Sequence, residues 1–195
     1  MGEWDVYKQC QTERSAARQR EMEQGLMRLM LKKHYDEITV TDLCQELQIP
    51  RKAFYRYFSD KDGALQSLMD RALMDFDTFS SVNGIVHIKD SRIYMEKVLD
   101  YWVQNRQLLD ALARSGLSGV LVHRAILYTQ ERDTMPYFMS SMDQKLRNYG
   151  TLFAVCGLMS MIVRWHSDGF EPDSRQLAQV AIRLLSEPLF SMEKV

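Results

Sequence analysis

At 195 residues, 46% of them apolar and 26% charged, the chain can bury a substantial core and has an ordinary globular composition. It has no uninterrupted run of about 18 apolar residues, and its first residues, MGEWDVYKQCQTERS, lack the apolar stretch of a secretory signal. A membrane span is thereby excluded and a cytoplasmic location expected, while a net charge of −1 argues against nonspecific coating of nucleic acid and leaves room for a focused basic contact.

Residues 1–11 read as a poorly fixed arm, in which Trp4 and Tyr7 are the side chains able to pack on a neighbour. From Thr12 to Lys33 the pattern is helical. Met22, Leu26, Leu29 and Met30 fall on one face, and Arg14, Arg18, Arg20 and Arg28 decorate the rest. Tyr35 and Ile38 are expected to pack back onto the same small core.

The stretch from Ile38 to Leu65 carries the most information. Thr39 suits an N-cap, with Asp42 three residues on in the capping-box position, and Val40, Leu43, Cys44 and Leu47 continue as a helical stripe. Gln48-Ile49-Pro50 breaks that helix, and Pro50 suits the first turn of the next. A second short helix is expected from Arg51 to Tyr57 or Phe58. Phe54 and Phe58, four apart, can bury together and leave Arg51, Lys52, Tyr55 and Arg56 pointing elsewhere. Between Arg51 and Lys61 stand four basic residues against one acid, Asp60. Charge for phosphates and planar or forked side chains for base edges are what a helix entering the major groove needs. Ser59 or Asp60 is the expected cap of the next helix, with Lys61 at its start, where a phosphate could meet an ammonium and helix N–H groups.

Thr39-Val40-x-Asp42-Leu43, a turn, and Phe54-Tyr55-Arg56-Tyr57-Phe58-x-x-Lys61-x-x-x-Leu65 together resemble the DNA-binding domain of the tetracycline-repressor (TetR) family of transcriptional regulators, over Met22 to Leu73. The resemblance implies an all-α fold. A three-helix head with a helix-turn-helix would occupy residues 12–60, and a larger helical ligand-binding and dimerisation domain residues 61–195. It implies DNA contacts from Thr39, Thr41, Arg51, Lys52, Ala53, Tyr55, Arg56, Tyr57 and Lys61. Three positions depart from the family pattern: His34 stands where a glycine is usual, Pro50 where a Ser cap is frequent, and Lys52 where Gly is frequent.

Beyond Lys61 a helix is expected to Phe79, with Leu65, Leu68, Met69, Ala72, Leu73, Phe76 and Phe79 on one wide face, ended by the turn residues Ser80 to Gly84. Further helices are expected from Asp90 or Ser91 to Arg106, from Gln107 to Ser115-Gly116, and from Leu117 to Glu131. Pro136 interrupts or kinks the segment beyond. The most apolar helix is expected at Asn148–Ser167. Glu171-Pro172-Asp173 is a stop and new cap, and a last amphipathic helix runs from Ser174 to Glu187 before Pro188. No strand alternation with hairpin signals and no repeat occurs.

Leu152 to Trp165 contains Arg164 as its one charge, more apolar surface than a monomer of this size readily covers. With the last helix it reads as half of a four-helix homodimer interface, using Leu152, Val155, Met159, Ile162, Leu177, Val180 and Leu184. Phe76, Tyr94, Tyr101, Trp102 and Tyr128 are pocket candidates for a small-molecule effector by analogy with the family. The thirteen methionines could supply an adaptable wall, though such stripes also serve as plain core.

Cys10, Cys44 and Cys156 lack paired spacing, and the four histidines form no i, i+4 pair or H-E-x-x-H array, so no metal site is indicated. With no nucleophile elbow or Gly-rich phosphate loop, neither catalytic residues nor a cofactor is expected. The reading is a DNA-binding regulator, expected to repress from a palindromic double-stranded operator. The alternative is a helical ligand-binding or adaptor protein that no longer reads DNA.

Overall fold

The computed structural model describes residues 6–85, 90–131 and 143–186. Trp4, His87, the break at Pro136 and the stop at Glu187-Pro188 lie outside the described residues. In chain order the elements are α1 (Glu13–Met30), a 3-10 turn (Tyr35–Glu37), α2 (Val40–Glu46), α3 (Arg51–Phe54), α4 (Lys61–Val82), α5 (Ser91–Gln104), α6 (Arg106–Arg114), α7 (Ser118–Glu131), α8 (Gln144–Ser167) and α9 (Ser174–Ser186). Among the described residues there is no strand beyond one isolated antiparallel bridge, Tyr7 with Phe58. The fold is all-α. No described helix is long and apolar enough to cross a membrane. The chain divides into two compact units, one of Met1–Met74 with Gln107–Arg124, the other of Asp75–Arg106 with Ala125–Val195.

In the first unit α1 starts at a Thr12 cap and buries Met22, Leu26, Leu29 and Met30. Tyr35, Ile38, Leu43, Phe54, Phe58, Leu65, Leu68 and Met69 complete the apolar centre. His34 has φ −62° and ψ 144°, ordinary extended backbone, so the glycine usual in the family is not required there. A left-handed non-glycine residue is instead Gln48, φ 52°, in the turn between α2 and α3.

The buried carboxylates inside this unit are paired, as burial demands. Glu23, fully buried, receives Ser67 Oγ at 2.5 Å and Arg71 Nη2 at 3.0 Å, while Gln19 donates to Ser67 at 3.2 Å, tying α1 to α4. Asp70 receives Arg124 Nε at 2.9 Å and Nη2 at 2.6 Å, and also the Tyr7 hydroxyl at 2.6 Å. At the corner between α6 and α7, Ser115 Oγ accepts the Tyr35 N–H at 2.9 Å, and Arg114 donates to the Lys32 carbonyl at 3.2 Å.

The arm departs from expectation: from Val6 to Cys10 it is a fastened strap. Lys8 N–H donates to the Tyr57 carbonyl at 2.8 Å, Ser59 N–H to the Val6 carbonyl at 3.0 Å, and Gln19 Nε2 to the Lys8 carbonyl at 3.1 Å. The Val6 carbonyl sits so close to Gly63, in the first turn of α4, that a Cβ there would lie 2.2 Å from the oxygen. Glycine at 63 is thus dictated by close approach, not by backbone conformation.

In the second unit α5 starts at Asp90, whose side chain accepts from Arg92 and Ile93 N–H, and buries Met95, Val98, Leu99, Tyr101 and Trp102. It packs with α9, where Ser174 Oγ donates to Asp100 at 2.7 Å. In α8, Met159, Ile162 and Trp165 turn inward, and Phe170 meets the Trp165 ring edge-on at 4.9 Å.

Candidate nucleic-acid interface

The interface begins with the capping box. Thr39 Oγ1 accepts the Asp42 N–H at 3.1 Å, and Asp42 Oδ2 accepts the Thr39 N–H at 2.8 Å. Lys33 Nζ adds a bond to the same carboxylate at 2.9 Å. These bonds, Lys33 foremost, hold the Asp42 acid down at about 2. Arg28 and Lys32, each 3.3 Å from Glu46, likewise lower the pKa of that carboxyl at the other end of α2. Both ends of this helix are therefore electrostatically fixed, one to Lys33 just beyond α1 and the other to Arg28 of α1 and Lys32 after it.

Pro50 caps α3 without a side-chain bond, and the helix proper ends at Phe54. Tyr55, Tyr57 and Phe58 then close tightly: Tyr57 N–H and Phe58 N–H both bond the Phe54 carbonyl, at 2.9 and 3.2 Å. The recognition element is thus one turn of α-helix and a closing turn, shorter than the helix to Tyr57 or Phe58 read from spacing. Two neighbours on its C-terminal side shorten it. Phe58 leaves the helix to pair with Tyr7, and Asp60 must cap α4, its Oδ1 accepting the Gly63 N–H at 2.8 Å.

Phe54 and Phe58 are 0% and 2% exposed, with ring centroids 5.3 Å apart, and burial of each contributes about 1.5–3 kcal/mol. They prop the element from behind. Arg51, Lys52, Tyr55 and Arg56 are exposed, Ala53 and Tyr57 half-buried, and Thr39 and Thr41 are exposed at the start of α2. Arg51 donates to the Tyr55 hydroxyl at 3.2 Å with its guanidinium 5.9 Å from the ring centre. That bond raises the pKa of Arg51 and orders two groups of the free face.

Lys61 differs from expectation. Its ammonium donates to the Tyr35 carbonyl at 3.0 Å and lies 4.4 Å over the Tyr35 ring, so it is turned onto the protein instead of outward. Burial and the neighbouring Asp62 push the Tyr35 phenol up, keeping it a neutral donor. Cys44 is buried and its thiol pushed up by that burial, as suits an inert apolar filler.

In the second unit the pocket candidates fall into two sets. Tyr101 meets Phe76 at 5.2 Å, Phe79 at 5.4 Å and Trp102 at 5.6 Å; Tyr101 and Trp102 are buried. Tyr128 donates to Asp77 at 2.5 Å, and Asp77 also raises the Tyr94 phenol, though burial does so more. Phe79 and Asp77 touch these candidates and are not among the residues that the sequence suggests. Phe79 continues the apolar face of α4 and is legible there; Asp77 carries no signal. Among the described residues no group of three or more His, Cys, Asp and Glu is placed to hold a metal ion.

The dimer-interface candidates also divide. Met159, Ile162 and Leu177 are buried within the chain, so they belong to its own core and not to a surface. On α8 the exposed stripe is instead Tyr149, Leu152 and Phe153, 74%, 37% and 62% exposed, with Val155 half-buried; on α9 it is Val180 and Leu184. Two apolar stripes wind around α8, and spacing alone cannot say which one faces home.

The fold is shared with solved structures of low sequence identity. The dihydroxyacetone kinase operon activator DhaS superposes with a TM-score of 0.54 at 15% identity, covering 86% of this chain and 93% of that one. The fatty acid degradation regulator FadR from Bacillus halodurans gives 0.57 at 13%, covering 93% and 98%. A protein from Syntrophomonas wolfei assigned to the TetR-family transcriptional regulators gives 0.50 at 14%, covering 89% and 100%. No curated protein matches the sequence significantly. The family model for bacterial regulatory proteins of the tetR family matches residues 24–68, the span from mid-α1 through the capping box and recognition element into α4. Residues 24–68 are thus a tetR-family DNA-binding domain, carried at the head of an all-helical chain.

Proposed function

We propose that this chain is a ligand-responsive repressor that reads a palindromic operator as a homodimer. One observation carries the reading: Arg51, Lys52, Tyr55 and Arg56 are all exposed on a single short element whose two phenylalanines are sealed behind it. Cations and a phenol on that face supply phosphate and base-edge contacts, with Thr39 and Thr41 at the adjoining helix start. One such element buries little surface, and a twofold pair of heads, with half-sites about 34–36 Å apart, answers that shortfall.

The stripe Tyr149, Leu152, Phe153 on α8 and the residues Val180 and Leu184 on α9 support the homodimer, because apolar side chains at helical spacing are left unburied by the single chain. The effector site is assigned to the aromatic set of the second unit: Phe76, Tyr94, Tyr101, Trp102 and Tyr128. Occupancy there would bias α4, which runs from Lys61 at the head to Val82, and so alter the register of two heads on one duplex. Selection of bound sequences from random duplex DNA tests the core of the reading. A palindromic consensus is the expected result. Failure to retain any duplex at low salt refutes it and leaves the adaptor reading. Operator affinity that no screened effector changes would refute the ligand response alone.

A further inference from the structure

The head presents another cation, on an element that no helix-turn-helix pattern includes. The register of the bridge sets Tyr7 across from Phe58 and Lys8 across from Tyr57, with Lys8 N–H bonded to the Tyr57 carbonyl at 2.8 Å. Side chains alternate along extended backbone. Tyr7 turns inward to Asp70, and Lys8 therefore leaves on the opposite side, the side of Tyr57, where it is exposed. Its backbone is not a free end. The Lys8 carbonyl accepts Gln19, the Val6 carbonyl accepts the N–H and hydroxyl of Ser59 at 3.0 and 3.1 Å, and the Tyr7 hydroxyl is held by a buried carboxylate. The acid nearest in sequence to Tyr57, Asp60, is engaged at the start of α4.

We propose that Lys8 is a further phosphate-contacting residue of the DNA-binding head, carrying the footprint beyond the end of α3. It rests on the reading of residues 51–57 as the DNA-reading element. An ammonium on a flexible stem is a point charge suited to a phosphodiester, and fixing the base of that stem lowers the ordering cost of the contact. Lys8 reads charge and not sequence.

The experiment uses the full chain and a duplex recovered by selection from random DNA, with affinity measured across a salt series for the wild type, K8A, K8R, K8E and R56A. K8A is expected to reduce the slope of log affinity against log salt by about 0.9 for each head, K8R to retain it, and K8E to weaken binding further. Thermal unfolding should not move in any Lys8 variant, because the side chain is exposed. A wild-type slope in K8A, on a duplex for which R56A shows a reduced one, overturns the assignment while the DNA-reading role stands. Weaker binding in K8A with an unchanged slope, not restored by K8R, marks a structural role and also overturns it. A wild type that binds no duplex at low salt removes the DNA-reading role and this contact together.

Discussion

Asp70→Asn is the most searching test of how the first unit is held together. Asp70 and Arg124 have side chains only 4% and 5% exposed, and the same carboxylate receives the Tyr7 hydroxyl. The amide cannot neutralise the guanidinium, so Arg124 keeps a buried charge without its carboxylate. Breaking one side of such a pair costs about 3–5 kcal/mol. Against a total stability of about 5–15 kcal/mol that is a large fraction. For a chain of this size each kcal/mol shifts the midpoint by about 2–4 °C, so thermal unfolding followed by far-UV circular dichroism should fall by about 6–20 °C. Tyr7→Phe removes only a donor and should cost about 0.5–1.5 kcal/mol. The double change D70L with R124M replaces both charges by apolar groups and should recover most of the loss. A D70N midpoint within about 2 °C of wild type, or a double variant no more stable than D70N, would refute the argument that this pair is buried and mutually dependent.

Arg56→Ala should weaken operator binding and reduce the salt slope by about 0.9 per head, measured by fluorescence anisotropy across a salt series. Arg51→Ala or Lys52→Ala should instead relax sequence preference by about 1–3 kcal/mol at the position read, visible on repeating the selection. Thr39→Ala should cost about 0.5–2 kcal/mol by loss of the cap, read as a lower urea midpoint. The depressed pKa of Asp42 gives a pH test: its contribution is present above the ordinary carboxylate range and is lost as pH falls toward about 2. Wild type and D42N should therefore differ in unfolding midpoint near neutrality and converge at the acid end. Phe153→Glu should yield a monomer by sedimentation velocity with an unaltered circular dichroism spectrum, since the side chain is exposed in the single chain.

The head is legible in the sequence because its signals are local. Thr39 and Asp42 are three residues apart and Phe54 and Phe58 four, and each pair meets as its spacing requires. The features that escape a sequence reading depend on contacts between residues far apart in the chain. The strap has five residues and no period of its own; it is held by Tyr57, Ser59 and Asp70, which nothing in MGEWDVYKQC announces. Lys61 carries the right charge at the right place, yet its direction is set by the Tyr35 carbonyl. Spacing overstates the length of α3 for the same cause, since periodicity continues through Phe58 while the backbone has already turned to meet Tyr7. In the body, the apolar wealth of α8 is plain in the sequence, but Met159 and Ile162 face its own core and Phe153 faces away.

Gly63 bears on how such a protein can be engineered. Substituting alanine for glycine in a helix ordinarily gains about 0.5–1 kcal/mol, and a rule-based thermostabilisation campaign would select this site early. Here the added methyl would collide with the Val6 oxygen, which Ser59 also holds. The N-terminal segment would be evicted while the helix itself gained. The variant would look improved by helical content and score worse as a whole, a false economy invisible to any propensity scale.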